Sequence, residues 1–411
     1  MQRGVYCIVL ILAVVAVAAI AILPKGSESP GETETLHWYK GNTHTHTLWS
    51  DGNDFPDMIV GWYKERGYDF LALSDHNVLS RGEKWMKVEA VDKRKKKPGA
   101  SALEKYREKF GEEWVETRGE GKGEEVRLKT LKELRPKFEK EGEFLMIEAE
   151  EITDRFRNHE VHINALNLGE LIPPQHGASV VETIRNNLRA AAEQAEKLGR
   201  PIITHLNHPN FRWSLTAQDL AEVVEEQFFE VYNGHPGINH LGDGTRPGDE
   251  QLWDIANTIR LSKLKARPLF GVATDDSHYY HGGDVSPGRG WIMVRAGRLE
   301  VGALIEAMKR GDFYASSGVE LKDFSLRKGT YALRITPREG VTYSTRFVGT
   351  LKGDGAVPGE VLATVEGLEP AYTLTGNELY VRAVVTSSKA HWNPSFKDQV
   401  EQAWTQPVGW E

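Results

Sequence analysis

Short apolar runs alternate with amphipathic stretches along most of this chain. Apolar runs occupy residues 70–74 (FLALS), 201–204 (PIIT) and 228–232 (FFEVY), and stretches of helical periodicity precede the first two, at 57–66 and 183–198. Repeated units of this kind predict an α/β fold, in which helices cover a parallel sheet that is either a barrel or doubly wound. No glycine-rich phosphate-binding motif follows the first strand, and this favours the barrel.

Two regions break this rhythm. Residues 81–143 hold 19 Lys or Arg and 15 Asp or Glu. Such mixed charge predicts an insertion of peripheral, solvated helices, although its run KRKKK at 93–97 could instead touch phosphate. Further on, apolar and polar residues alternate, as in YALRIT at 331–336 and LYVRAVVT at 379–386. This alternation predicts a small all-β C-terminal domain over residues 319–411.

The N-terminal region is different again. Residues 5–23 carry no charge and follow Arg3, which is typical of an export signal peptide, and they are also long enough for an uncleaved membrane anchor. A buried core helix is the third alternative. The polar, Pro- and Gly-rich residues 24–35 predict a linker. Residues 1–23 therefore predict that the folded part lies outside the cytoplasm, exported or periplasmic, either free or attached to the membrane.

The composition excludes several classes of protein. With 411 residues, 40% of them hydrophobic, the chain has the length of two or three globular domains and is not intrinsically disordered. Its 51 basic and 59 acidic side chains argue against nucleic-acid binding as the main role. The single cysteine, Cys7, excludes an internal disulfide.

The candidate chemistry lies in the histidines. Of 14, all but His391 fall between His37 and His281, and many stand beside carboxylates at the ends of predicted strands. The carboxyl ends of the strands of a parallel barrel meet on one face, so residues far apart in sequence can meet there. His44 and His46 would point to the same side of an extended segment, because side chains alternate along a strand.

Metal binding is the expected role of these side chains. Carboxylates and imidazoles are costly to bury together without partners, and a purely structural role for so many of them is therefore disfavoured. Histidine and carboxylate without thiolate suit divalent Zn, Mn or Fe, and the sequence does not choose among these metals.

Six motifs occur in the order GNTHTHTLWSDG, LALSDHN, EAEEIT, HEVHINAL, ITHLNHPN and GVATDDSH. Together they resemble the PHP (polymerase and histidinol phosphatase) family of metallohydrolases. The resemblance implies a distorted seven-stranded βα barrel of TIM-like type over residues 36–318, interrupted by the insertion at 81–143. It also implies a cluster of two or three metal ions, which many members use to hydrolyse phosphate esters.

The resemblance also implies a set of nine metal ligands. One ion would be held by His44, His46 and Asp276, a second by Glu151, His162 and His205, and a third by Asp51, His76 and His278, with Glu151 bridging the first two. Two positions have neighbours of the same type. Glu151 is favoured over Glu150 because it directly precedes the Ile-Thr pair, and His205 is favoured over His208 because it ends the apolar strand. His208 could contact substrate instead.

Other polar residues are candidates for supporting roles. Asp75 and Asp275 are expected to orient ligand imidazoles. Arg289, in SPGRGW, and Arg246, in GDGTRPGD, are candidate phosphate clamps, because a guanidinium matches phosphate geometry. Asp75 and Arg289 are the residues predicted to assist catalysis most directly. The hydrolytic nucleophile would be a water activated by the metal ions.

Three functions are compatible with these features. The first is a phosphatase or phosphodiesterase acting on a small-molecule phosphoester. The second is an amidohydrolase-like hydrolase of C–N or C–O bonds, which the SDHN motif and the missing lysine motif for a bridging carbamate disfavour. The third is a non-enzymatic surface protein stabilised by metal. No motif predicts the substrate, and a fold alone does not determine one.

Overall fold

A computed structural model describes residue 1 and residues 35–411. The predicted signal peptide or anchor and nearly all of the predicted linker lie outside the described residues. Residues 36–411 form one compact unit. Among the described residues, no helix combines the length and the apolar character needed to cross a membrane.

Nineteen strands and eight α-helices build this unit. The strands are β1 His37–Asn42, β2 Phe70–Leu73, β3 Trp85–Lys87, β4 Thr117–Arg118, β5 Glu125–Arg127, β6 Leu145–Phe156, β7 His159–Leu166, β8 Ile203–Leu206, β9 Phe228–Asn233, β10 Phe270–Thr274, β11 Trp291–Ala296, β12 Phe313–Ser316, β13 Leu321–Arg327, β14 Thr330–Ile335, β15 Tyr343–Leu351, β16 Glu360–Glu366, β17 Ala371–Thr373, β18 Glu378–Ala390 and β19 Val400–Thr405. The helices are α1 Pro56–Lys64, α2 Val88–Lys93, α3 Ala102–Phe110, α4 Leu131–Phe138, α5 Val180–Leu198, α6 Ala217–Glu222, α7 Asp249–Ile259 and α8 Val301–Lys309.

One mixed sheet of thirteen strands dominates the fold, in the order β10-β9-β8-β7-β6-β2-β1-β11-β12-β19-β18-β15-β16. Neighbours are parallel at β1/β2, β2/β6, β8/β9 and β9/β10. They are antiparallel at β6/β7, β7/β8 and β1/β11. The α/β class is therefore as predicted. The pairing within residues 35–411 is a linear order rather than a closed ring, so it does not confirm a seven-stranded barrel.

The β6–β7 hairpin is the main departure from the predicted alternation of strand and helix. β6 is twelve residues long and turns directly into β7 near Arg157, which adopts a positive φ of 55°. Glu150 and Glu151 therefore lie inside a strand, whereas the sequence predicted them at a strand end. Because side chains alternate along a strand, these two neighbours face opposite sides of the sheet.

The charged segment 81–143 contains α2, α3 and α4 together with a small sheet of order β3-β5-β4. The segment has an apolar interior, because Leu103, Tyr106 and Val126 are buried in one cluster with Leu48 and Phe55, which follow β1. The segment is therefore packed onto the chain that follows β1, and it is not formed by solvated helices alone.

The described residues after 318 contain strands and no helix. Their sheet continues the main sheet, since β19 pairs with β12. A buried ion pair adds a further link, in which Arg382 of β18 donates to both carboxylate oxygens of Asp254 in α7. The all-β region is thus continuous with the α/β region through hydrogen bonds and buried charge.

Candidate metal centre

The carboxyl ends of β1, β2 and β10, together with the β6–β7 hairpin and the segment after β8, converge on one cavity of about 170 Å³. It is lined by Asp51, His76, Glu151, His162, His208, Phe211, His235, Asp276 and His278. Four groups of side chains there place their ligand atoms close enough to hold a metal ion: His44, His46 and Asp276; His44, Glu151 and His208; His76, Glu151 and His162; and His46, Asp51, His76 and His278.

His44 and His46 meet Asp276 at the deepest part of the site. The two imidazole Nε2 atoms are 3.1 Å apart, and they lie 3.3 and 3.1 Å from Asp276 Oδ1. In a tetrahedral site with ligand atoms about 2.1 Å from the ion, neighbouring ligand atoms are about 3.4 Å apart. The observed separations are close to this value, so the three side chains fit around one cation.

Asp276 adopts a positive φ of 48°, which is uncommon for a residue with a Cβ atom. Its backbone N–H donates to the carbonyl of His44 at 3.0 Å, and the next residue, Ser277, forms a parallel bridge with Thr45. The loop after β10 is therefore tied to the segment after β1, and this tie brings the Asp276 carboxylate to the two imidazoles.

Glu151 occupies the centre of the cluster and is fully buried. Its two carboxylate oxygens lie 2.7 to 3.5 Å from a nitrogen of each of five imidazoles, those of His44, His46, His76, His162 and His208. Burial opposes ionisation of Glu151, yet the imidazoles around it hold the pKa of its carboxyl well below the usual range. Glu151 is therefore a permanent negative charge shared among several ligand groups.

Glu150 has the opposite surroundings. Its Oε1 accepts the backbone N–H of Ile172 at 2.7 Å, and no metal-capable group among the described residues includes it. Burial raises the pKa of its carboxyl to about 8. The alternation along β6 thus separates a charged, central Glu151 from a Glu150 that faces an apolar region.

Asp51 forms the outer corner of the site. Its carboxylate oxygens lie 3.4 Å from His278 Nε2, 3.6 Å from His76 Nε2 and 3.8 Å from His46 Nδ1. The opposite ring nitrogens are occupied, because His278 Nδ1 contacts the carbonyl of Asp276 at 2.8 Å and His76 Nδ1 contacts Thr153 Oγ1 at 2.6 Å. Hydrogen bonds of this kind leave Nε2 free to bind a metal.

His205, inside β8, and His208, after it, are placed differently from the sequence prediction. His205 lies outside all four metal-capable groups, and its Nε2 is 3.1 Å from Thr43 Oγ1. Burial lowers the pKa of the His205 imidazole to about 4, which keeps it neutral. The chain then turns at His208, where φ is 26°, and this turn brings the His208 imidazole to within 3.4 Å of Glu151.

The two aspartates predicted to orient imidazoles instead accept hydrogen bonds from backbone N–H and side-chain hydroxyl groups. Asp75 accepts the N–H of Thr47 at 2.7 Å and the hydroxyl of Ser50 at 2.6 Å. Asp275 accepts the hydroxyl of Tyr63 at 2.6 Å and the N–H of Arg289, also at 2.6 Å. Each aspartate therefore shapes a loop beside the site rather than a ligand ring.

Neither arginine predicted as a phosphate clamp lines the cavity. Arg289 is 3% exposed, and its guanidinium donates to the carbonyl of Gly234 at 2.8 Å and to that of Asn393 at 3.1 Å. Arg246 is half-exposed and lies over the Trp213 ring at 4.7 Å, where both line a separate cavity of about 480 Å³. Arg289 acts as a backbone brace, and Arg246 belongs to a neighbouring surface.

Glu230, in β9, is the orienting carboxylate that the sequence analysis missed. Its Oε1 lies 2.7 Å from His44 Nδ1, and its Oε2 accepts the backbone N–H of His208 at 2.7 Å. Burial opposes its ionisation, but His44 lowers the pKa of the Glu230 carboxyl to about 2. The available signal was one glutamate in the middle of the apolar run FFEVY, which is an expensive place for a charge without a partner.

Several buried polar atoms of the site make no hydrogen bond of good geometry. Among the described residues these include His46 Nδ1, both ring nitrogens of His162, and Glu151 Oε2, although His162 Nδ1 and Glu151 Oε2 lie 3.0 and 2.7 Å from neighbouring polar atoms. Unpaired buried polar atoms are rare in folded proteins because they are costly. Bound divalent cations would satisfy them, and the chemistry of the donor set therefore fits a metal cluster.

No protein-family model and no curated protein matches the chain. Several solved structures are similar to it, and three of them follow. A two-domain protein from Bacteroides vulgatus, containing a predicted PHP-like metal-dependent phosphoesterase, is 15% identical with a TM-score of 0.42, over 90% of this chain and 95% of that one. A candidate metal-dependent phosphoesterase from Bifidobacterium adolescentis is 13% identical with a TM-score of 0.29, over 59% and 88%. PsfC from Pseudomonas syringae is 12% identical with a TM-score of 0.30, over 63% and 82%.

The Bacteroides vulgatus protein is described as PHP-like, and PHP is also the family that the six sequence motifs resemble. The chain is similar to PHP-like metal-dependent phosphoesterases. The three TM-scores are below 0.5. The function of this protein is therefore inferred from the side chains of its own site and not from its similarity to these structures.

Proposed function

We propose that this protein is a metal-dependent hydrolase of phosphate esters, a phosphatase or phosphodiesterase acting on small molecules. The observation that carries the proposal is the buried Glu151 carboxyl group among five imidazoles. A carboxylate in this position can neutralise and bridge adjacent cations, which would otherwise repel each other at reduced dielectric.

The proposed ligand set is the predicted one with His208 in place of His205. One ion would use His44, His46 and Asp276, a second would use His162 and His208, and a third would use Asp51, His76 and His278, with Glu151 between the first two. Zn, Mn and Fe all suit this donor set. The support for His208 is its place in a metal-capable group with Glu151.

Divalent cations in such clusters activate water for attack and neutralise charge on phosphoryl oxygens. The residues of the chain orient the cluster and shape the cavity. Glu230 holds the ring of His44 through Nδ1, so that Nε2 faces the site. Phe211 forms one wall, with its ring 5.2 Å from that of His208.

His235 is placed to serve as a hydrogen-bond donor. It lines the cavity without belonging to any metal-capable group among the described residues. Its Nδ1 accepts the N–H of Gly237 at 2.9 Å, and burial lowers the pKa of its imidazole. The neutral ring therefore carries its proton on Nε2, which is available to a phosphoryl or leaving-group oxygen in the cavity.

Two features favour phosphate esters over the C–N and C–O bonds of amidohydrolase-like enzymes. His76, from the SDHN motif, joins Asp51 and His278 in one group. No lysine lines the cavity in the described part of the chain, so no group is available to form a bridging carbamate there.

The test is to measure metal content and then substrate class. Purified protein is analysed for bound metals, stripped with a chelator, reloaded with Zn, Mn or Fe(II), and assayed with p-nitrophenyl phosphate, bis(p-nitrophenyl) phosphate and p-nitrophenyl acetate. We expect metal-dependent release from at least one phosphate ester and little from the acetate. Faster cleavage of the acetate, or turnover that survives complete metal removal, would refute the proposal.

A further inference from the structure

Asp51 is exposed, although the loop that carries it, residues 47–52, is otherwise buried or half-buried. The Asp51 side chain is 57% exposed, whereas those of His46 and Glu151 are almost completely inaccessible. Asp51 contacts other ligands only at 3.4 Å or more, through the gap that a cation would fill. The position of its carboxylate therefore depends on the backbone of this loop.

One side of the loop is held from the main sheet. Asp75, directly after β2, accepts the backbone N–H groups of Thr47 at 2.7 Å and Ser50 at 3.0 Å. It also accepts the hydroxyl groups of the same two residues, at 2.8 and 2.6 Å. Asp75 thus binds the donor groups of Thr47 and Ser50, and as a carboxylate it provides no donor for the carbonyl groups of the loop.

The carbonyl groups are held by the charged segment 81–143. The Nη1 atom of Arg94 donates to the carbonyl of Ser50 at 2.8 Å and to that of Gly52 at 2.9 Å, so that one guanidinium joins the two residues that flank Asp51. Lys84 Nζ donates to the carbonyl of Trp49 at 2.6 Å. Two cations of the segment therefore bind three backbone carbonyl groups on either side of Asp51.

Arg94 is itself fixed in this position. Its carbonyl accepts from Asn53 Nδ2 at 3.4 Å, and the N–H of Asn53 donates to the carbonyl of the ligand His278 at 2.9 Å. A Cβ atom on Gly52 would lie 2.5 Å from the carbonyl oxygen of His46, so the loop is packed closely against the segment after β1.

From this geometry we propose that Arg94 is a positioning residue for the metal centre. By spanning the carbonyl groups on both sides of Asp51, it holds the Asp51 carboxylate opposite His76 and His278, and the charged segment thereby completes the outer cation site. This inference rests on the proposed function, in that it requires the cluster to bind divalent cations.

The test compares two arginines of the same segment. Arg94→Gln removes the charge and the double contact, and Arg94→Lys keeps the charge with a single ammonium. Arg118→Gln is the matched control, because Arg118 is half-exposed, pairs with Glu125 at 2.7 Å and lies over the Trp85 ring, remote from the loop. Full-length proteins are stripped with chelator and titrated with Mn²⁺ by calorimetry, with bound metal counted after dialysis and thermal unfolding measured in parallel.

We expect wild type and Arg118→Gln to bind Mn²⁺ alike. Arg94→Gln should weaken the weakest Mn²⁺ site by roughly 10- to 100-fold, the range found for partners that orient metal ligands. Arg94→Lys should lie between them. Asp51→Asn should weaken the same site, and the double variant Asp51→Asn/Arg94→Gln should be no weaker than Asp51→Asn alone, because the two residues act through one carboxylate.

Unchanged Mn²⁺ affinity and stoichiometry in Arg94→Gln would overturn the inference, as would additive losses in the double variant. If Arg94→Gln does not fold, Arg94→Lys with wild-type thermal unfolding decides the matter in the same way. A wild-type protein that binds no divalent cation would instead refute the proposed function itself. The two kinds of failure are distinguishable, because the role of Arg94 is refuted only in an experiment in which the wild-type protein binds Mn²⁺ normally.

Discussion

The inner and outer sides of the metal centre are built differently. The inner side, with His44, Glu151 and Asp276, is buried and held by side chains that project from the main sheet. The outer side is one exposed carboxylate, Asp51, whose loop is held through its backbone by Asp75 and Arg94. A buried ligand can be oriented by a single neighbouring carboxylate, whereas an exposed ligand needs its whole loop immobilised.

The sharpest way to break the inner side is Glu151→Gln. The amide is nearly isosteric but neutral, so adjacent cations lose their shared compensating charge. Because removing even an orienting partner costs roughly 10- to 100-fold, we expect losses beyond about 100-fold in metal affinity and hydrolysis, measured by calorimetry and phosphate ester turnover. Glu150→Gln on the opposite face is the control, with a clearly milder effect. If Glu151→Gln has the metal content and activity of the wild type, Glu151 is not part of the metal centre.

His205 and His208 test whether the inner side has been assigned correctly. His208→Asn should lower bound metal and reduce turnover by about 100-fold, the upper end of the range for perturbed metal centres. His205→Asn should keep its metal, since His205 contacts Thr43 rather than a ligand group. Metal counting on both proteins after dialysis is the measurement. The reverse pattern would return the ligand role to His205.

Glu230→Gln tests how the inner side is oriented. In the wild type, one carboxylate oxygen of Glu230 meets the ring of His44 and the other accepts the backbone N–H of His208. The amide nitrogen of the variant would replace one of these two oxygens and could not accept the hydrogen bond. We expect metal affinity to fall by roughly 10- to 50-fold, within the range for orienting partners. Glu226→Gln is a suitable control, because that buried carboxyl contacts Thr204 at 2.6 Å and not a ligand. Equal affinities in the two variants would contradict the orienting role.

The last prediction concerns folding stability rather than metal binding, at the place where the charged segment is attached to α1. Asp57 of α1 is buried and accepts Tyr106 Oη at 2.9 Å and Trp114 Nε1 at 2.5 Å. Burial raises the pKa of its carboxyl from 3.8 to about 6. As pH rises from 4 to 6 the unfolded chain therefore loses this proton first, and the free energy of unfolding should fall by up to about 3 kcal/mol.

Asp57→Asn should flatten that dependence, because the amide oxygen still accepts both hydrogen bonds and carries no titrating proton. Urea unfolding at pH 4 and pH 7, with chelator present to remove metal effects, measures the difference between the two proteins. The same slope in wild type and Asp57→Asn would show that another group titrates in this window.

Much of the local structure and the residue types of the site could be predicted from the sequence. The stretches 57–66 and 183–198 correspond to α1 and α5, and the apolar run at 228–232 lies in β9. Motifs containing His44, His76, Glu151 and Asp276 were recognisable because each combines ligand side chains within a few residues. The direction of β7 was not predictable, since it depends on a tight turn between two strands rather than on periodicity.

Roles that depend on a single contact could not be predicted. Nothing local distinguishes Arg94 from the four lysines around it in KRKKK, and only the packing of the charged segment turns it toward the Asp51 loop. Arg289 was predicted as a phosphate clamp, but its guanidinium donates to the backbone carbonyl groups of Gly234 and Asn393, which are far from it in the sequence.

The sequence by itself indicated several of the elements, the residue types of the candidate site and the preference for Glu151 over Glu150, because periodicity and motif spacing act over a few residues. Only the tertiary structure decided that His208 and not His205 reaches Glu151, that Glu230 orients His44, and that Arg94 holds the Asp51 loop. Those choices are made by distances of about 3 Å between segments far apart in the chain, where hydrogen bonds require close approach and good alignment.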